Sequence, residues 1–121
     1  KWLGHVPNEE KFDLLSKHDL LVLTSYNENF ANVVIESLAM GTPVLISDEV
    51  GLADYVQETD LGWVSSLTIE SIAEQLQISF DNKNKREWIS VNSPKIIHTN
   101  FNEEVLVFDY IRNYNDLILS K

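Results

Sequence analysis

Two short apolar runs bracket one helix-length segment, and this arrangement narrows the fold more than any other feature. Leu20–Thr24 (LLVLT) is continuously apolar, as expected of a strand covered on both sides. Thr42–Ser47 (TPVLIS) is a second such run, with Pro43 near its start. Between them, Asn32–Met40 places Val34, Ile35, Leu38 and Ala39 at helical spacing, and Gly41 ends the helix. A strand–helix–strand unit brings its two strands side by side in the same direction, because the helix carries the chain back along the sheet.

The remaining segments extend this alternation. Trp2–Val6 reads as a short strand ending at Pro7, and Asn8 is placed to cap a helix over Glu9–Lys17 with Phe12 and Leu15 on one face. Trp63–Val64 is a further short strand. Thr68 begins a helix with Ile69, Ile72, Ala73 and Leu76 in register. Asn84–Thr99 is helical in pattern but contains Pro94. Ser93 is suited to capping a fresh turn there, so a kink or break is expected. Lys83–Arg86 (KNKR) is expected to be the solvated start of that helix, and Trp2, Trp63 and Trp88 to be core or interface anchors. Val107, Tyr110, Ile111, Tyr114, Leu117 and Ile118 form a last helical stripe. The expected class is α/β, a Rossmann-like parallel sheet flanked by helices, and 121 residues suit one compact unit.

Charge and composition exclude several functions. The formal net charge is −10, which opposes generic binding to nucleic acid or anionic lipid. There are no cysteines, so disulfides and thiolate metal sites are excluded and a reducing cytoplasm is the fitting location. Lys1–Gly4 shows no secretory-signal pattern, and no apolar run reaches the roughly 20 residues of a membrane span. His18 and His98 lack metal-spaced partners, and Asp48, Glu49 and Asp54 have no spacing that supports a metal site. Ser25 and Ser37 have no accompanying His and acid pattern for nucleophilic catalysis.

In open parallel sheets, ligands sit beyond the carboxyl ends of the strands. That rule points to the segments after Val6, Thr24 and Ser47. After Thr24 a polar loop opens directly into the Asn32–Met40 helix, whose first amides lack internal partners and suit a phosphate. The helix dipole alone contributes only about 0.3–1 kcal/mol at an exposed site, so further polar contacts are needed. Glu28 in the loop and Glu36 one turn into the helix are the candidates. Carboxylates repel phosphate but accept hydrogen bonds from hydroxyls, and a ligand carrying both phosphate and sugar would use both features. A nucleotide sugar is such a ligand.

The stretch SYNENFANVVIESLAMGTPVLIS also resembles the signature S-x-x-E-G-F-G-x-x-x-x-E-A-x-A-x-G-x-P-V of retaining GT-B glycosyltransferases of the family 4 type, with Glu28 and Glu36 at its E-x7-E spacing. The likeness extends to Gly4-His5-Val6-Pro7, to Gly51 and Asp54, and more weakly to Phe101-Asn102 and the last helix. It implies that Glu28 faces the donor sugar hydroxyls as the catalytic-site acid. Backbone amides of Asn29, Phe30 and Ala31 would line the sugar, and those of Asn32 and Val33 would hold the diphosphate. Glu36 would accept from the ribose, and Gly4, His5 and Val6 would touch the nucleobase. Retention in this family is explained by front-face attack assisted by the departing phosphate, which calls for no metal and no protein nucleophile. The implied partners are a UDP-sugar donor and a glycan or lipid-linked acceptor, as in bacterial surface polysaccharide synthesis. The implied location is cytoplasmic, at the inner face of the cell membrane when the acceptor domain associates peripherally with it.

Asn29 and Ala31 stand where the pattern has glycines, and Asp54 where it often has Glu, which bears on donor selectivity. The resemblance implies that residues 1–121 correspond to part of a C-terminal, nucleotide-sugar-binding domain. The N-terminal acceptor domain, and the basic residues that clamp the diphosphate, lie outside the match; Lys11 and Lys17 do not fit the clamp pattern. The fragment by itself is therefore expected to be inactive and to bind donor weakly. The competing reading is a non-catalytic nucleotide-binding or protein-docking module of the same fold, with the Val107–Ile118 stripe as its docking face.

Overall fold

The computed structural model describes residues 1–101, so the stripe from Val107 to Ile118 lies outside the described residues. The elements are α1 (Asn8–Ser16), β1 (Leu21–Leu23), α2 (Asn32–Ala39), β2 (Val44–Ser47), α3 (Ala53–Thr59), β3 (Gly62–Ser65), α4 (Ile69–Asp81) and α5 (Lys83–Asn100). The three strands form one parallel sheet in the order β1-β2-β3. Leu21 pairs with Val44 and Val44 with Gly62, so β2 is central and all four of its residues are buried. Gly62 is needed at this register: a Cβ there would overlap the Val44 carbonyl oxygen and lie 2.8 Å from a Val44 methyl.

The core lies between the sheet and the helices α2, α3 and α5. Val34, Ile35 and Leu38 of α2 meet Leu45, Ile46, Val56, Leu61, Ile89 and Ile97 in one apolar cluster. Each such side chain contributes about 1.5–3 kcal/mol when fully buried. Hydroxyls tie the helices to the strands. Thr42 Oγ1 donates to Leu15 O at 2.6 Å, fastening α1 ahead of β2, and Ser93 Oγ donates to Leu38 O at 2.7 Å, fastening α5 to α2.

Several expectations are corrected. Trp2–Val6 forms no strand. Gly4 adopts φ +68°, which interrupts an extended run, and Trp2 is 93% exposed. Asn8 is the first helical residue rather than the cap. Pro7 occupies the cap position, where its missing N–H costs nothing, and its carbonyl accepts from Glu10 and Lys11. The β1 strand is shorter than LLVLT and is covered unevenly, with Val22 44% exposed. Of the three tryptophans only Trp63 is in the core; Trp88 is half-exposed.

Pro94 does not break α5, and Ser93 reaches across to α2 instead of capping a new turn. Pro94 has no N–H to give the Ser90 carbonyl. That carbonyl lies against Gly41, where a Cβ would come within 2.7 Å of the oxygen and where φ is +81°. The helix therefore tolerates its proline at the point where it packs on the glycine that ends α2. The KNKR stretch does start α5 but is not simply solvated. Lys85 Nζ donates to Asp60 Oδ1 at 2.6 Å and Gly62 O at 2.8 Å over the Trp63 ring, and Arg86 donates to the Ser79 and Phe80 carbonyls at the end of α4. Thr68 caps α4 by accepting from Ser71 N–H, as its position suggests, but Ile69 is 84% exposed and the helix covers only part of its apolar face.

Candidate functional site at the carboxyl edge of the sheet

The chain leaves β1 at Leu23 and crosses the carboxyl edge of the sheet as loop 24–31 before entering α2. The loop is stitched to the turn after β2. Ser47 Oγ donates to Ser25 O at 2.5 Å, Glu28 bridges Val50 in parallel fashion, and Gly51 N–H donates to Glu28 O at 2.6 Å. Gly51 is required by this closeness. A Cβ on it would overlap the Asn29 carbonyl oxygen and sit 2.8 Å from the carbonyl carbon. The next turn is joined in the same way, since Asp48 N–H donates to Ser65 O at 2.8 Å. The ends of all three strands thus form one connected edge.

Loop 24–31 delivers the chain into α2 through Ala31, at φ −90° and ψ 94°, whose carbonyl accepts from Val34 N–H at 2.9 Å. No side chain caps this helix, and its first turn contains no acid. The N–H groups of Asn32 and Val33 have no acceptor within the helix, and none is found elsewhere among the described residues. An anion at this end would meet free donors and the positive end of the dipole.

The two candidate carboxylates differ in setting. Glu28 is exposed, with its backbone carbonyl held by Gly51. Glu36 is largely buried against α1, where Lys11 Nζ lies 3.1 Å from Oε1 and 3.0 Å from Oε2, with side-chain exposures of 23% for Lys11 and 14% for Glu36. Nothing in the local sequence signals this ion pair between residues 25 positions apart. Asn29 and Phe30 are exposed, and Ala31 is buried in the core cluster. Phe30 is not isolated. Its ring lies 6.3 Å from that of Phe101, which meets Tyr55 edge-on at 5.0 Å, and Asn100 Nδ2 donates to the Tyr55 hydroxyl. This short aromatic ladder braces the loop against α3 and the end of α5, and sequence spacing did not suggest it.

Gly4, His5 and Val6 immediately precede Pro7 at the start of α1, with His5 exposed and Val6 half-buried. Asp54 is exposed in the first turn of α3. Ser37 is buried and donates to Thr42 O, a structural role. Among the described residues no group of three or more His, Cys, Asp or Glu side chains is arranged to hold a metal ion. A depression of about 500 Å³ lies near the amino end of β1, between Leu20 and the Leu76 and Phe80 side of α4. It contains none of the candidate residues, and its walls are mainly apolar. We therefore locate the candidate site by its open donors and carboxylates at the opposite edge, since an anionic, hydroxyl-rich ligand is recognised by these and not by an apolar hollow.

The chain matches the family model described as Glycosyl transferases group 1 over residues 1–96. It is 27% identical over 130 residues to the alpha-1,3/1,6-mannosyltransferase ALG2 of Eremothecium gossypii, a match covering 98% of this chain and 25% of that protein. It is 34% identical over 73 residues to the putative teichuronic acid biosynthesis glycosyltransferase TuaC of Bacillus subtilis, covering 60% of this chain and 19% of that one. The capsular polysaccharide biosynthesis glycosyltransferase CapM of Staphylococcus aureus is 26% identical over 101 residues, covering 83% and 27% respectively. Among solved structures, sucrose-phosphate synthase from Thermosynechococcus elongatus superposes with a TM-score of 0.79 at 24% identity, over 100% of this chain and 31% of that one. At that identity the likeness concerns the fold, and it agrees with the GT-B class expected from the motif. The chain spans about a quarter of the length of these curated relatives.

Proposed function

The chain belongs to the glycosyl transferases group 1 family, and from that premise we propose that it forms the donor-binding part of a retaining glycosyltransferase that uses a nucleotide sugar. The observation that carries the reading is the uncapped, acid-free start of α2, flanked in sequence by Glu28 before it and Glu36 within it. Free amides suit the diphosphate, and carboxylates suit the hydroxyls on either side of it. Glu28 acts on the donor sugar, and the amides of Asn29, Phe30 and Ala31 line that sugar. The amides of Asn32 and Val33 receive the diphosphate, Glu36 receives the ribose, and Gly4, His5 and Val6 border the nucleobase.

In the proposed reaction the acceptor oxygen bonds to the anomeric carbon on the face from which the nucleoside diphosphate departs. The bond from that carbon to the phosphate oxygen breaks, and the departing phosphate takes the acceptor's proton. The step uses no protein nucleophile and no metal ion. The rest of the enzyme supplies the acceptor site, which agrees with the quarter of its relatives' length that the chain spans. Relatives named for mannosyl transfer, teichuronic acid synthesis and capsule synthesis support a glycan acceptor, and a lipid-linked acceptor with action at the cytoplasmic membrane face is assigned with it. UDP-sugar is the donor assigned, and the chain by itself is expected not to transfer sugar.

Isothermal titration of the full-length protein with UDP, GDP and their sugars tests the binding reading. Transfer assays on Glu28→Ala and Glu36→Ala test the roles, with turnover expected to fall at least about 100-fold for Glu28→Ala when a transition-state contact is removed. Wild-type turnover in both variants would remove the site assignment. Absence of all nucleotide binding by a folded protein would favour a protein-docking module instead.

A further inference from the structure

Glu36 is held from one side by a single ammonium group placed almost equally between its two oxygens, at 3.1 and 3.0 Å. Lys11 comes from α1, and its own N–H is anchored on Pro7 O at 3.1 Å, directly after the Gly4–Val6 segment. The ion pair therefore ties the residue assigned to the ribose to the helix that follows the segment assigned to the nucleobase. A glutamate side chain has three rotatable bonds, and ordering a long side chain costs rotamer freedom that binding would otherwise have to supply. Here that ordering is present before any ligand arrives. A carboxylate has about four lone-pair directions. An ammonium on one side leaves one direction on each oxygen for two further donors, and the vicinal 2′- and 3′-hydroxyls of a ribose are such a pair.

We propose that Lys11 is a positioning residue. By its ion pair it orients Glu36 so that both carboxylate oxygens accept from a ribose diol, and it thereby sets the preference of the site for ribonucleotides over their deoxy counterparts. This rests on the assignment of Glu36 to the ribose. The partially buried setting matters, because an exposed pair of this kind would contribute little to order.

The test is isothermal titration of the full-length protein with UDP, 2′-deoxy-UDP and 2′,3′-dideoxy-UDP, with the GDP series run in parallel and the tighter series used. Wild type is expected to bind the ribonucleotide about tenfold or more tighter than the dideoxy form, as loss of hydrogen bonds to a charged acceptor requires. Lys11→Met is expected to weaken ribonucleotide binding about three- to tenfold while leaving the dideoxy affinity within about twofold, which collapses the ratio. Lys11→Arg, which keeps the charge with a different reach, should recover part of the ratio. In a Glu36→Gln background, Lys11→Met should have no further effect on the ratio. Urea unfolding checks that each variant is folded, and Lys11→Gln carries the same test should Lys11→Met not fold.

A Lys11→Met variant that keeps the wild-type ratio, or weakens both ligands equally, overturns the proposal. Tighter ribonucleotide binding by Lys11→Met also overturns it, since Lys11 would then be a competitor of the ribose. If Glu36→Gln itself keeps the full ratio, the ribose assignment fails and the proposal falls with it. Loss of the ratio in Glu36→Gln but not in the Lys11 variants removes only the role of Lys11.

Discussion

Gly51→Ala isolates the junction between the two loops that form the candidate site. Gly51 has no left-handed φ, so the substitution carries no backbone penalty of that kind and acts through contact alone. The added methyl would overlap the Asn29 carbonyl oxygen and lie 2.8 Å from the Asn29 carbonyl carbon and 3.3 Å from the Glu28 oxygen. These are backbone atoms of loop 24–31, so no rotamer change relieves the clash. The loops must part by on the order of 1 Å to restore ordinary contact distances. That movement breaks or lengthens the 2.6 Å bond from Gly51 N–H to Glu28 O. The bond accounts for about 0.5–1.5 kcal/mol, and overpacking for about 1–3 kcal/mol. The lower entropy of alanine in the unfolded chain returns about 0.4–1 kcal/mol. A net destabilisation of about 1–3 kcal/mol is expected, measured by urea unfolding of the full-length protein. Because the displaced residues are Glu28 and Asn29, turnover should fall more steeply, by about 100-fold for a misplacement of this size. An unfolding free energy within about 0.5 kcal/mol of wild type would refute the loop junction, since that is the range of an unconstrained surface change. Normal turnover in a destabilised variant would refute its connection to the site.

Substitutions at three further positions probe the frame. Asp60 ends α3 at φ 56° and accepts from Lys85. Asp60→Gly should cost less than Asp60→Ala by about 1 kcal/mol in chemical denaturation, because both lose the ion pair but only alanine remains strained in the left-handed region. Ser47 and Ser65 are paired on neighbouring strands, yet Ser47 Oγ bonds Ser25 O while Ser65 Oγ is buried without a partner among the described residues. Ser47→Ala should therefore cost about 1 kcal/mol, whereas Ser65→Ala should be neutral or stabilising by thermal unfolding.

The parallel β1–α2–β2 unit was legible because its two signals are local. A continuous apolar run marks the buried β2, and 3.6-residue spacing marks α2. The errors arise where the deciding partner is distant in sequence. Trp2–Val6 reads as a short strand ending at Pro7, but Gly4 takes a left-handed φ that the sequence alone does not reveal. Pro94 suggests a broken helix until the Ser90 carbonyl is seen against Gly41. At the site, the position of Glu28 and Glu36 around a helix start followed from the loop and the motif. The pairing of Glu36 with Lys11 and the Phe30–Phe101–Tyr55 ladder did not, because both join elements that only tertiary packing brings together.

The departures of Asn29 and Ala31 from the glycines of the family pattern acquire a physical reading from the backbone. Asp60 is the sole non-glycine with positive φ among the described residues, so neither position uses the conformational freedom of glycine. Ala31 is extended at φ −90°, and its side chain is buried in the core cluster. A non-glycine residue at a compatible φ stabilises the fold by about 0.4–1 kcal/mol through the unfolded chain. The substitution at position 31 is therefore accounted for by the stability of the loop–helix junction. Position 29 differs: its carbonyl faces Gly51, while the residue as a whole is exposed at the open edge. Of the two changes, Asn29 is the one that presents a polar side chain at the exposed edge of the sheet.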